Sequence, residues 1–144
     1  MTEQIRVKRL HPDAKIPKAA KVGDVAFDLY SVIDYELKSG ERYAVPTGIA
    51  IEIPVGYEGQ VRPRSGLALK DGITVLNTPG TIDSGYRGEV KTIMINHGDI
   101  SFKITKGMRI SQLAIRPVPK VEFIEVDELS DTDRGEGGFG STGV

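Results

Sequence analysis

Apolar and polar positions alternate over short distances in this chain, and turns interrupt the pattern before a helical repeat can build up. In GIAIEI, Ile49, Ile51 and Ile53 fall on one side of an extended chain, and VKTIMIN and ISFKI also read as short extended segments. Near the C-terminus, VEFIEV places Val121, Phe123 and Glu125 on one side and Glu122, Ile124 and Val126 on the other, which predicts a final strand. The sequence contains 17 glycines and 8 prolines, and its longest stretch free of both, Asp24 to Ser39, carries the β-formers Val25, Phe27, Tyr30, Val32, Ile33 and Tyr35. Helices are therefore predicted to be nearly absent. Many short strands separated by turns predict an all-β sandwich, barrel or jelly roll rather than alternating βα units.

Composition narrows the picture. A chain of 144 residues fits one domain with a substantial core, and 39% hydrophobic with 27% charged residues is an ordinary globular balance. The longest apolar runs are a few residues, far short of the roughly 18 to 20 that a membrane span needs, so no membrane partner is expected. A formal net charge of -1 and a pI near 6.1 provide no global positive field, and nucleic acid is not an expected partner. The absence of cysteine excludes disulfides, thiolate nucleophiles and cysteine-based metal sites. The charged opening MTEQIRVKRL contains no apolar signal segment, and the expected compartment is the cytoplasm.

Composition shifts at Arg134, where RGEGGFGSTGV follows the acidic DELSDTD and packs five glycines into eleven residues. Such a segment cannot build a core. It does carry an arginine to pair a phosphate, a phenylalanine to stack on a base, and a Ser-Thr pair to donate hydroxyl hydrogen bonds. Its GFGSTG matches the dinucleotide fingerprint G-x-G-x-x-G literally but in the wrong context, because that fingerprint works between a strand and a following helix and only Val144 follows Gly143. There is no phosphate-binding loop of the G-x-x-x-x-G-K-[ST] kind and no G-x-S-x-G elbow. His11 and His97, both in turn-like settings, give poor support to a hydrolytic Ser-His-Asp triad.

Four further segments concentrate charged residues and glycine at turns. GDVAFDLYS sets Asp24 and Asp28 in a β-forming run, and carboxylate oxygens of this kind suit hard cations such as magnesium. RPRSGLALK places Arg64, Ser65 and Gly66 where a turn would present backbone N–H groups beside a guanidinium, a plausible phosphate nest. NTPGTIDSGYRGEV predicts a turn-rich hairpin around Asp83 and Tyr86. KGMRISQLAI puts Arg109 and Gln112 into a strand, with Met108, Ile110 and Leu113 as core.

Taken in order, with the glycine-rich tail as a fifth element, the segments DLYS, PRSGLA, GTIDSGYRGEV, GMRISQL and RGEGGFGSTG closely resemble the motifs of the trimeric dUTP pyrophosphatase (dUTPase) family, over about Ile5 to Val144. The resemblance implies a distorted jelly-roll-like β-barrel or sandwich over residues 1–133, with a flexible glycine-rich C-terminal arm over 134–144 that closes over an active site. It implies a homotrimer whose three sites are shared between subunits. The implied reaction is magnesium-dependent hydrolysis of dUTP to dUMP and pyrophosphate, which supplies dUMP for thymidine nucleotide synthesis and keeps uracil out of DNA. By position, Asp83 matches the carboxylate that activates water, and Tyr86 the ring that lies against the deoxyribose. Asn77 and the hairpin backbone through Ile82 to Gly85 match the segment that reads the uracil edge. Asp28 matches the carboxylate that contacts magnesium through water, and Arg64, Ser65, Gly66 and Gln112 the phosphate-binding positions. Arg134, Phe139, Gly140, Ser141 and Thr142 match the closing arm.

One departure is Ala26-Phe27, where many relatives carry glycine just ahead of the Asp-Leu pair. It leaves Asp24 and Asp28 as alternatives for the metal, with Asp28 favoured. Two other classes compete: a dCTP deaminase of the same structural superfamily, and a non-enzymatic β-sandwich binding module. The hairpin signature around Asp83 argues against the first. Retention of Asp83, Arg64 and the tail argues against the second.

Overall fold

The computed structural model describes residues 2–143; Met1 and Val144, the outermost residues of the expected domain and arm, lie outside the described residues. The regular elements are β1 Arg6–Arg9, β2 Phe27–Tyr30, β3 Tyr35–Leu37, β4 Arg42–Glu52, β5 Tyr57–Arg62, α1 Ser65–Asp71, β6 Ile73–Val75, β7 Gly80–Ile82, β8 Glu89–Asn96, β9 Phe102–Ile104 and β10 Arg109–Pro117. They form one four-stranded sheet in the order β1-β4-β8-β6, a second in the order β2-β10-β5-β7, and a two-stranded ribbon β3-β9. Every strand pair is antiparallel. The all-β class follows from the sequence pattern as expected.

Period-two alternation decides which side chains meet. Along β8, Val90, Thr92, Met94 and Asn96 are buried while Lys91 and Ile93 face outward. One core cluster joins Ile49, Ile51 and Val90 of the first sheet to Leu29, Val61 and Leu113 of the second, so the sheets pack face to face. A second cluster, built on Val45, Ile73, Met94 and Ile110, is covered by Leu37 and Ile104 of the ribbon. Full burial of each such side chain stabilises the fold by about 1.5 to 3 kcal/mol.

Four polar side chains inside this core are matched with partners. Thr47 donates to the carbonyl of Val90, and the hydroxyls of Thr92 and Ser111 bond each other at 2.7 Å across the two sheets. Asn96, fully buried at the end of β8, donates to the carbonyls of Leu37 and Ile100 and accepts from the N–H of Gly98. It thereby ties the ribbon to the first sheet. Gly48 sits at the register shift in β4 with φ +71, and a Cβ there would approach Val32 and the Cβ of His11 to 2.9 Å, so only glycine fits.

The final strand expected at VEFIEV does not form: residues 118–143 contain no regular element, and Val121, Phe123, Ile124 and Val126 are all exposed. Alternating apolar residues specify an extended segment only where another strand accepts its backbone hydrogen bonds, and none of the described strands pairs with it.

The Thr92–Ser111 pair sets a test of the packing. Thr92→Val leaves the Ser111 hydroxyl buried and unpaired, and should cost about 1 to 3 kcal/mol in urea unfolding at fixed protein concentration. Adding Ser111→Ala removes the orphaned hydroxyl and should recover most of that loss.

Candidate functional site

The centre of the second sheet brings together residues far apart in sequence. Strand β10 runs between β2 and β5, and Gln112 stands directly opposite Asp28 on one side and Arg62 on the other. Cross-strand partners share a face, so the carboxylate, amide and guanidinium lie in one row. Asp28 is only 6% exposed, although the carboxylate belongs to a residue type that is rarely buried unpaired. Its Oδ2 lies 3.7 Å from Nη1 of Arg109.

Arg109 reaches that position because β10 carries a bulge. Arg109 opposes Tyr30 and Ser111 opposes Leu29, so Ile110 is one residue too many for the ladder. Without the extra residue, simple alternation would put positions 109 and 112 on opposite faces. With it, Arg109 and Gln112 open onto the same cavity, while Ile110, Ser111, Leu113 and Ala114 remain buried.

RPRSGLALK is not the expected turn. Ser65 opens a two-turn helix, because Leu67, Ala68, Leu69 and Lys70 are good helix formers and Gly72 supplies a left-handed cap whose N–H bonds the carbonyls of Ala68 and Leu67. Arg64, at the N-cap in an extended conformation, makes no side-chain cap; it donates from Nη1 to the Arg109 carbonyl at 3.0 Å. Ser65 and Gly66 are exposed at the start of this helix.

A cavity of about 340 Å³ is thus lined by Asp24, Asp28, Arg62, Arg64, Arg109 and Gln112. Three guanidiniums against two carboxylates give it a local positive excess in a chain whose net charge is -1. Such a setting suits a multiply charged anion. Asp24 is partly committed, because its Oδ2 accepts the N–H of Lys21 at 2.7 Å; Asp28 makes no such local bond. Among the described residues no cluster of three or more histidines or acidic residues forms a metal cage. A magnesium ion held by one carboxylate, with water and ligand oxygens completing its shell, is compatible with this donor set, because magnesium retains several waters. Arg62 and Arg109 went without a role in the sequence reading. For Arg62 a signal was available, in that Glu58, Gln60 and Arg62 alternate along one face of β5 and form a hydrogen-bonded chain, with Gln60 Oε1 accepting from Arg62 Nε and Nη2.

The second group is the hairpin that crosses from β6 in the first sheet to β7 in the second. It contains a cis Thr78–Pro79 bond, and a Cβ at Gly80 would lie 3.2 Å from Nδ2 of Asn77, so the loop closes tightly on itself. Ile82 is buried, whereas Asn77, Asp83 and Tyr86 are exposed. The Tyr86 hydroxyl donates to the carbonyl of Glu89 at 2.9 Å, and the ring lies so close over Gly88 that a Cβ there would collide with it.

Asp83 does not line the arginine-rich cavity. It borders another hollow with Tyr57, Glu58, Thr81 and Val118, and the two linings share no residue. Nor does the tail join either group. Arg134 donates to its own Gly137 carbonyl, Phe139 is fully exposed at φ +52, and the hydrogen bonds of Gly140, Ser141 and Gly143 stay within the tail. Within one chain the expected site residues therefore form three separate sets.

Comparison with known proteins puts these sets in context. The dUTPase family model matches residues 12–143. The deoxyuridine 5'-triphosphate nucleotidohydrolase of Crocosphaera subtropica is 59% identical over 141 residues, covering 98% of this chain and 99% of the relative. That of Gloeothece citriformis is 57% identical over 141 residues, covering 98% and 97%. The solved structure of the Staphylococcus bacteriophage 80alpha dUTPase with dUpNHpp is similar at 31% identity and a TM-score of 0.92, covering 99% of this chain and all of that one.

Proposed function

The chain belongs to the dUTPase family, and from that membership and the geometry of its cavity we propose that it hydrolyses dUTP to dUMP and pyrophosphate, with the residues named above as its site. The observation that carries the reading is the row Asp28–Gln112–Arg62, with Arg64 and Arg109 added to it: clustered cations for a triphosphate beside a buried carboxylate.

Each set then has a task. Arg64 and Gln112, with the N–H groups at Ser65 and Gly66, bind the phosphates, and Arg62 and Arg109 add to the positive field. Asp28 is the residue that would hold magnesium, through water, and the ion would neutralise phosphate charge. Asn77 and the backbone of the tight hairpin through Ile82 read the uracil edge, and the Tyr86 ring packs against deoxyribose, leaving no room for a 2′-hydroxyl. Release of pyrophosphate breaks the bond between the α-phosphorus and its bridging oxygen, and water supplies the new oxygen. Asp83 accepts the proton of that water, a general-base contribution of typically 10² to 10⁴ in rate.

Separation of the three sets in one chain favours a homotrimer, in which the hairpin of one subunit and the arm of another complete the cavity of a third. The unpaired apolar residues Val121, Phe123 and Ile124 favour the same arrangement, because neighbouring subunits can cover them. In this arrangement residues 1–133 are the β domain and 134–144 the arm, which closes with Arg134 on phosphate, Phe139 over the base, and Gly140, Ser141 and Thr142 alongside. Among the described residues no helix is long and apolar enough to cross a membrane. From the dUTPase reading we propose that the enzyme acts on the cytoplasmic nucleotide pool.

Pyrophosphate release from dUTP tests the activity directly. Asp83→Asn keeps the shape and removes the basic lone pairs, so kcat should fall at least about 10²-fold while nucleotide affinity is retained; an unchanged kcat rejects the role of Asp83. Sedimentation should show three chains per particle. Deleting Arg134–Val144 should leave the thermal midpoint nearly unchanged yet strongly reduce hydrolysis, and a truncated enzyme with full kcat/KM rules out a working arm. Uracil offers a donor at N3 between two carbonyls, whereas cytosine has an acceptor at N3 and an amine at C4. kcat/KM for dCTP should therefore lie about 10⁴-fold below that for dUTP, because buried hairpin groups would be left unpaired.

A further inference from the structure

The turn that carries Asp83 and Tyr86 has little beneath it. Tyr86 N–H closes the turn onto the Asp83 carbonyl at 3.1 Å. Behind it, toward β1 and β4, lies a hollow of about 440 Å³ bordered by Arg6, Glu52, Val55, Ser84, Gly85 and Arg87. No buried apolar residue of the turn fills that space, since residues 83–88 are all exposed or half-buried.

One side chain bridges it. Arg87 donates from Nη1 to the carbonyl of Ser84 at 2.7 Å and to its neighbour Tyr86 at 3.2 Å, gathering two carbonyls of the turn under one guanidinium. Its other amino group, Nη2, lies 3.4 Å from Oε1 of Glu52 near the end of β4. The second oxygen of Glu52 is held by Nη1 of Arg6 at 2.9 Å, and Arg6 is the cross-strand partner of Glu52 in β1. The turn is thus moored to a two-stranded platform through Arg87–Glu52–Arg6. The planar fork of arginine allows one group to serve the carbonyls and another the carboxylate, which a lysine ammonium cannot do in the same geometry.

We infer that Arg87, held by Glu52, is a positioning residue that sets the orientation of Tyr86 and Asp83 and so governs discrimination between deoxyribo- and ribonucleotides; this rests on the dUTPase reading of the site. Besides the N–H that closes the turn, Tyr86 is tied at its carbonyl by Arg87 and at its hydroxyl by the Glu89 carbonyl. Release of the first lets the ring pivot about the second, and space opens where a 2′-hydroxyl would lie. Exposed ion pairs contribute little to global stability. Their loss here changes local order in a turn rather than unfolding the domain.

The test compares kcat/KM for dUTP and UTP, by pyrophosphate release, in the wild-type enzyme and in Arg87→Gln, Arg87→Lys and Glu52→Gln. Arg87→Gln should retain the wild-type thermal midpoint and sedimentation behaviour while the dUTP to UTP preference narrows about tenfold, on the scale by which small misplacements act on rate. Arg87→Lys, which keeps the charge without the fork, should restore only part of it. Glu52→Gln, which leaves the turn untouched in sequence, should narrow the preference in the same direction. Added salt should narrow it in the wild type and leave Arg87→Gln unmoved. A preference unchanged in both Arg87→Gln and Glu52→Gln overturns the inference, as does an equal loss on dUTP and UTP with their ratio intact. A wild-type enzyme that releases no pyrophosphate from dUTP instead refutes the underlying activity.

Discussion

The register of β10 between β2 and β5 is the constraint from which the site follows. One residue of slip would turn Gln112 into the core and bring Leu113 out, because side chains alternate with a strict period of two. The buried set Ile110, Ser111, Leu113 and Ala114 resists that slip through the area it removes from water and through the Thr92–Ser111 bond, which closes only when both sheets are in place. Core packing thus fixes the spacing between the carboxylate of Asp28 and the guanidiniums of Arg62 and Arg109 without any of the three being part of the core cluster. The bulge at Ile110 interrupts the alternation of β10 and adds a cation to the cavity.

Much of this was legible in the sequence, for reasons that differ by residue. Ile49, Ile51 and Ile53 declared a buried face because half-buried strands must alternate, and all three are buried. Asp28, Arg64 and Gln112 could be grouped only through the resemblance of their motifs, since nothing local to any one of them indicates its neighbour across the sheet. Arg109 was not legible as a cavity residue: a bulge depends on how two strands meet, and its own strand reads as regular. The helix at Ser65 was obscured by Pro63 and Gly66, which suggested a turn, whereas Leu67, Ala68, Leu69 and Lys70 prevail once Gly72 closes the end. VEFIEV failed in the opposite way, with an alternating pattern and no strand among the described residues to receive it.

The hairpin shows how little apolar burial a precise loop requires. Ile82 anchors its end in the core, while the turn from Asp83 to Tyr86 is held by its own main-chain hydrogen bond, by the Tyr86 hydroxyl on Glu89 and by the Arg87 guanidinium. Such a loop is shaped by hydrogen bonds and one moored guanidinium rather than by apolar packing underneath. That suits a surface that presents several polar groups in fixed directions.

The chain beyond Pro117 has a consequence in terms of reach. The 16 residues that separate β10 from Arg134 form no regular element, and fully extended they span about 55 Å, against a radius of gyration of about 13 Å for a folded unit of roughly 100 residues. In the trimer proposed above, an arm on so long a leash would be a ligand supplied in cis to the whole assembly. Its effective concentration at a cavity is set by leash length and not by how dilute the protein is, and for short flexible linkers it lies in the millimolar range. On the proposed role of the arm, weak contacts from one arginine, one phenylalanine and a few hydroxyls would then suffice to cover a bound nucleotide, and weak contacts also release quickly. If the arm closes as proposed, the spacer between strand and arm sets the balance between enclosing the substrate and letting the product go.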